Sequence, residues 1–227
     1  MSRPRRVGRS TSMPPSSEFG RDEAARKQAV SPADGFPALA GREVVLGVAG
    51  GVAAYKAAML TSLLVKQSVG VTAVLTDAAT AFVGEATFAA LTSRPVARRL
   101  FDPGRFPLGG HIELAAGTDL VVVAPATADF LAKAAHGVAD DLLTTLLLAA
   151  ECPVILAPAM NAAMWAKPAV QRNVRQLVED GLGIIEPVSG WLACRREGAG
   201  RMAEPEAIAS EIARVLAGGE LPKPGVS

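Results

Sequence analysis

The sequence is short of aromatic rings. Only 4% of its 227 residues are Phe, Trp or Tyr, although half are hydrophobic, so its interior must be built from Ala, Val, Leu and Ile. Cysteine is nearly missing. Cys152 and Cys194 stand far apart and give neither a disulfide framework nor a zinc-ligand spacing, so no metal site is expected. A reducing cytoplasm is the simplest compartment. An excess of either charge is missing too. Lys and Arg number 23 and Asp and Glu 22, a net charge of +1 that argues against a protein held to nucleic acid by bulk charge. No apolar run reaches the roughly 18–20 residues that span a bilayer, so no membrane contact is expected.

What is present divides the chain unevenly. Residues 1–40 read as a tail: Arg3, Arg5, Arg6 and Arg9 come before the first acidic residue, Glu18, and Met13-Pro14-Pro15 breaks any helix. The segment lacks the apolar middle of a secretory signal, and its composition is that of disorder. Deleting residues 1–40 is expected to leave the fold intact. Residues 41–218 form the folded domain, and the Pro- and Gly-rich residues 219–227 are expected to fray.

Within the domain, strand and helix patterns alternate. Apolar runs predict strands at Glu43–Val48, Val71–Thr76, Asp119–Ala124, Pro153–Ala157 and, as the last, Gly183–Glu186. Helical spacing follows at Val52–Gln67, Ala78–Phe82, Glu85–Leu91, from about Thr127, and at Ala139–Ala150, Val170–Glu179 and Pro205–Leu216. Strands that are apolar throughout are buried on both faces, and their alternation with helices implies right-handed crossovers. The expected fold is α/β, a three-layer, doubly wound, Rossmann-like domain with a mainly parallel sheet. In such sheets ligands bind beyond the carboxyl ends of the strands, so chemistry is sought in the loops that follow them.

After the first strand, Gly50-Gly51 opens a helix. The pair either admits an anion to backbone N–H groups or makes a tight turn. The spacing is neither Gly-x-Gly-x-x-Gly nor that of a nucleotide triphosphate loop. Thr127 and Asp129 follow the third strand as caps or as hydrogen-bonding groups for a ring-shaped ligand. Asn161 follows the fourth, with Met164 and Trp165 close behind. His111, after Gly109-Gly110, suits general acid/base work or simply starts a helix. His136 reads as structural or solvated and Cys152 as buried and inert. Cys194 lies in a loop of glycines and arginines, Gly190 to Met202, where neighbouring Arg favours thiolate. That loop is read either as a mobile lid over an anion or as a solvated basic segment.

Five motifs in order then resemble the flavin-containing cysteine decarboxylases. They are Gly50-Gly51-Val52-Ala53-Ala54-Tyr55-Lys56, His111-Ile112-Glu113-Leu114, Ala124 through Asp129, Pro158-Ala159-Met160-Asn161 with Met164-Trp165, and Leu192-Ala193-Cys194 through Gly200-Arg201-Met202. The resemblance implies FMN bound by Gly50, Gly51, Val52, Thr76, Thr127, Ala128, Asp129, Phe130 and Ala159. It implies catalytic roles for His111, Asn161 and Cys194, and substrate contacts at Asn161, Met164, Arg201 and Met202. The implied reaction is decarboxylation of 4′-phosphopantothenoylcysteine to 4′-phosphopantetheine, a coenzyme A precursor, with no net redox change. The implied assembly is a homotrimer, or a dodecamer built from trimers, holding flavin between subunits. Two positions depart from the family: Ala116-Gly117 replaces an Arg-Trp pair, and Arg195 replaces a glycine after the cysteine. Decarboxylation of a peptide's C-terminal cysteine and a non-catalytic FMN-binding regulator are the alternatives. A nicotinamide reductase lacks its glycine fingerprint here.

Overall fold

Unbroken apolar runs build the centre of the molecule. The structure, a computed structural model, describes residues 39–191 and 197–225. Strands β1 (Glu43–Val48), β2 (Gly70–Leu75), β3 (Leu120–Ala126), β4 (Val154–Pro158) and β5 (Gly183–Ile184) form a five-stranded sheet of order β2-β1-β3-β4-β5. Every neighbouring pair is parallel, with Val45 opposite both Thr72 and Val121. Strand side chains alternate between two cores. Val44, Leu46, Leu120 and Val122 point to one cluster, and Val45, Val121 and Val123 to the other. That double burial is why no polar residue interrupts β3 or β4, whereas the edge strand β2 carries Thr72.

Helices cover both faces. One core packs α1 (Ala54–Lys66), α2 (Glu85–Thr92) and α8 (Pro205–Leu216) through Leu60, Leu64, Phe88, Ile208 and Ile212. The other packs α3 (Gly110–Ala116), α4 (Ala128–Ala135), α5 (Leu142–Ala149) and α7 (Pro168–Glu179) through Leu114, Leu131, Leu146 and Leu177. Local chemistry sets the helix starts. Asp141 and Thr144 form a capping box at α5, and proline opens α7 and α8. The doubly wound α/β expectation is met.

Four features differ from the sequence reading. Gly183–Glu186 is not the last strand, because β6 (Val188–Trp191) and β7 (Glu197–Arg201) pair antiparallel as a separate two-stranded sheet. A four-residue helix, α6 (Ala162–Trp165), follows Asn161. The core begins at Leu39, within the expected tail, because Leu39 is fully buried and Gly41 N–H donates to the Ser68 carbonyl at 3.0 Å. Residues 219–225 do not fray. Ile184 N–H donates to the Pro222 carbonyl at 2.8 Å, and Gly225 N–H donates to the Glu186 carboxylate at 3.2 Å. Residues 1–38 of the expected tail, and 226–227, lie outside the described residues. Among the described residues no helix is long and apolar enough to cross a membrane, and no cluster of three or more His, Cys, Asp or Glu side chains is placed to hold a metal.

Candidate functional site

The strand order reverses between β1 and β3, where the chain winds first to one side and then to the other. Crevices form at such a point because the two following loops part. A cavity of about 1610 Å³ opens there, at the carboxyl ends of the strands. The β1–α1 loop brings Gly50, Gly51 and Val52 to its wall, and the end of β2 brings Thr76. The two glycines differ. Neither has a positive φ, so a turn requirement explains neither. A Cβ on Gly50 would lie 2.6 Å from the Ala78 carbonyl carbon, so packing demands that glycine. A Cβ on Gly51 would meet only Thr127 Cγ2, at an ordinary 3.6 Å. Gly51 instead leaves bare backbone on the cavity. The N–H groups of Gly51 and Val52 have no partner among the described residues, and α1 has neither a side-chain cap nor an acidic residue in its first turn. The positive end of a 13-residue helix therefore faces the space uncompensated.

The β3–α4 loop forms the facing wall. Thr127 caps α4, its hydroxyl accepting from Phe130 N–H at 3.2 Å. The Phe130 side chain is buried in the core, so its backbone is what it can offer a ligand. Ala128 lies between, and Asp129 pairs with Lys133 at 3.4 Å. Lys133 also meets Asp140 at 3.0 Å, and these carboxylates hold its pKa above the ordinary lysine value, the Asp140 hydrogen bond foremost. Thr76 is a cap as well, with Ala79 N–H donating to its hydroxyl at 3.2 Å. A one-phosphate flavin fits this wall. Free N–H groups at a helix start suit the phosphate, and the small side chains of Ala128 and Ala159 leave width for a ring.

The β4–α6 loop places Asn161 at the cavity. Its Oδ1 accepts from Ala163 N–H at 2.8 Å, which fixes the amide plane and leaves Nδ2 without a partner among the described residues. Met164, exposed, stands one turn on. Met160 N–H donates to the Gly200 carbonyl at 2.9 Å, which ties this loop to β7. A Cβ on Gly200 would collide with the Met160 carbonyl oxygen, so close approach requires that glycine. Arg201 reaches the wall and pairs with Glu204 at 2.7 Å. Met202 also lines the cavity, although the residue is only 1% exposed and packs in the core.

His111 is not among the cavity-lining residues of its own chain. It sits in the first turn of α3, half-buried, and its Nδ1 is buried without a partner. Cys194 and Arg195 lie outside the described residues. His136 is exposed, its Nδ1 lying 2.9 Å from the Ala132 carbonyl. Cys152 is a half-buried free thiol whose pKa burial raises.

Sequence reasoning missed Lys56. Its ammonium is buried, donating to the Met202 carbonyl at 3.0 Å and pairing with Glu204 at 3.0 Å. The Lys56 hydrogen bond holds the Glu204 carboxyl below its ordinary pKa. The signal was available: Lys56, Leu60 and Leu64 fall on one stripe of α1, so the ammonium had to find a partner inside.

Comparison with known proteins bears on the same elements. The Bacillus subtilis coenzyme A biosynthesis bifunctional protein CoaBC is 48% identical over 170 residues, which is 75% of this chain and 42% of that protein. The chain thus spans about two fifths of the length of the curated relatives it matches. Among solved structures, the FMN-dependent cysteine decarboxylase SpaF aligns with a TM-score of 0.68 and 38% identity, covering 79% of this chain and 99% of that one. A PPC decarboxylase mutant complexed with pantothenoylaminoethenethiol aligns with a TM-score of 0.71 and 31% identity, covering 78% and 99%. The Flavoprotein family matches residues 38–217. That match starts one residue before the buried Leu39 and runs past the end of α8, taking in the whole sheet and the cavity wall: the chain belongs to the Flavoprotein family.

Proposed function

We propose that this protein is an FMN-dependent decarboxylase that converts 4′-phosphopantothenoylcysteine to 4′-phosphopantetheine for coenzyme A biosynthesis. The observation that carries the reading is the cavity wall at Gly51, where open backbone and an uncapped helix start face Asn161 and its free amide N–H across one space. The names of the similar proteins, CoaBC and the cysteine decarboxylases, support it.

Gly50, Gly51, Val52 and Thr76 would hold the FMN phosphate and ribityl chain, and Thr127, Ala128, Asp129, Phe130 and Ala159 the ring. When bound, FMN supplies a reversible two-electron acceptor, which gives the carbon that loses CO₂ an electron sink it otherwise lacks. Asn161 Nδ2, oriented by the Ala163 bond, donates to the substrate carboxylate. Met164 and Arg201 complete the substrate's surroundings. His111 takes a proton in the oxidative half, and Cys194 Sγ donates one in the late half.

His111 serves a cavity it does not line if a second copy presents it. The assembly proposed is a homotrimer, or a dodecamer built from trimers, with flavin between subunits. Exposed apolar side chains beside the cavity and on α3 support such a contact: Val52, Tyr55, Phe101, Leu108, Ile112 and Trp191. The compartment proposed is the reducing cytoplasm, in keeping with the free thiol of Cys152.

The test is turnover by the purified protein. A flavin absorbance band, release of FMN rather than FAD on denaturation, and formation of 4′-phosphopantetheine with CO₂ are expected. Bound FMN with no CO₂ from this substrate or from a peptide ending in cysteine would instead make the protein a non-catalytic flavoprotein.

A further inference from the structure

Among the described residues five cations line the cavity, and four of them face carboxylates. Lys56 and Arg201 share Glu204, Arg98 meets Asp77 at 3.5 Å and Glu85 at 3.1 Å, and Lys133 meets Asp129 and Asp140. The remaining lining carboxylate, Asp141, is committed to the start of α5, accepting from Thr144 N–H at 2.7 Å. Arg99 is the exception. Among the described residues its guanidinium makes no ion pair and no hydrogen bond, and it stands exposed at the rim.

The backbone leading into it is held at several points. Ala97 bridges to the edge strand β2, donating to the Ala73 carbonyl at 2.9 Å and accepting from Leu75 N–H at 3.0 Å. The Arg105 guanidinium grips the carbonyls of Val96 and Pro95 at 2.6 and 2.7 Å. Arg98, next in the chain, is tied by its two carboxylates. Arg99 is thus a free guanidinium on a held rim, and the fork of its donors matches a phosphate.

The proposed reaction brings two phosphate monoesters into this space. The cofactor's has its donors at Gly51, Val52 and the start of α1. We propose that Arg99 binds the other, the phosphate of the substrate, and so sets the preference for the phosphorylated over the dephosphorylated pantothenoyl thiol. This rests on the decarboxylase reading above.

The test compares the flavin-loaded wild-type protein with Arg99→Gln and Arg99→Lys. Arg99→Gln is expected to raise KM for 4′-phosphopantothenoylcysteine by about tenfold while kcat, bound flavin and the kinetics with N-pantothenoylcysteine stay within about twofold. Arg99→Lys should recover part of the loss, and added salt should erode the wild-type preference but not that of Arg99→Gln. An equal loss for both substrates, or a loss of flavin, overturns the assignment, the second because it gives Arg99 to the cofactor's phosphate. If the wild-type protein turns over neither substrate, the decarboxylase reading fails on its own. Calorimetric binding of 4′-phosphopantetheine against pantetheine then decides: a preference that Arg99→Gln abolishes upholds the site, and equal binding by the wild-type protein overturns it.

Discussion

The two ends of the parallel sheet treat polar groups in opposite ways. At the amino ends of the strands charges are closed off. Glu43 pairs with Arg94, which also donates to Thr72 Oγ1 at 3.2 Å, and Asp119 accepts from Glu43 N–H at 2.7 Å and pairs with Arg42 at 3.0 Å. At the carboxyl ends, the N–H groups of Gly51 and Val52, Asn161 Nδ2 and the Arg99 guanidinium have no partner among the described residues and stand around a cavity. One end therefore holds the fold together, and the other keeps its hydrogen-bonding capacity for a ligand. Substitutions at the two ends should fail in different assays.

The largest effect is expected at Gly51. Gly51→Asp sets a carboxylate where the phosphate would lie, so bound flavin should fall to background while the circular dichroism spectrum is unchanged. Retained flavin would show that this end binds its cofactor elsewhere. His111→Asn comes next. It should keep the flavin and lose about 10²–10⁴-fold in decarboxylation, since Asn cannot exchange a proton near neutral pH. Normal turnover would remove His111 from the chemistry.

The other end should respond in stability alone. Deleting residues 1–38 should leave melting unchanged, whereas deleting 1–40 removes the fully buried Leu39 and should cost about 2–5 kcal/mol. Equal melting of the two truncations would refute the core boundary drawn here. Asp119→Ala should cost about 1 kcal/mol by denaturant titration, with flavin content and turnover untouched.

The acid limb offers a finer check. The backbone N–H of Glu43 holds the Asp119 carboxyl below its ordinary pKa, and Arg94 does the same for Glu43. Stability from these groups is full above the unfolded carboxylate values near 4 and is lost as pH falls through the lower folded values. Asp119→Asn should flatten that limb. An unchanged acid profile would mean that the strand starts contribute little.

What could be read from the sequence follows from how each element is stabilised. Double burial writes itself as an unbroken apolar run, so β1 and β3 were legible almost to the residue. The antiparallel β6–β7 pair was not, because β6 is mostly exposed, both strands carry glycine, and backbone pairing holds them. The last described residues looked frayed for their Pro and Gly, yet their carbonyls and N–H groups serve β5 and Glu186. Gly50 and Gly51 look alike in sequence, and only geometry separates a packing requirement from an open backbone. Those of the chosen loop residues that the structure describes line one cavity. His111 does not, because where a helix-start histidine points relative to a distant crevice is set by tertiary packing.

The Lys56 contact also constrains the order in which the chain can be completed. Its ammonium finds the Met202 carbonyl 146 positions later in the sequence, and Glu204 just beyond. A nascent chain that has made α1, the first four strands and most of the apolar core still has no counter-charge for that ammonium. Settling α1 fully against the sheet before Glu204 emerges would leave a charge uncompensated in an apolar setting. Synthesis of Met202 and Glu204 thus releases the first helix into its final seat, and a chain cut short before residue 204 is expected to be open to proteolysis at α1.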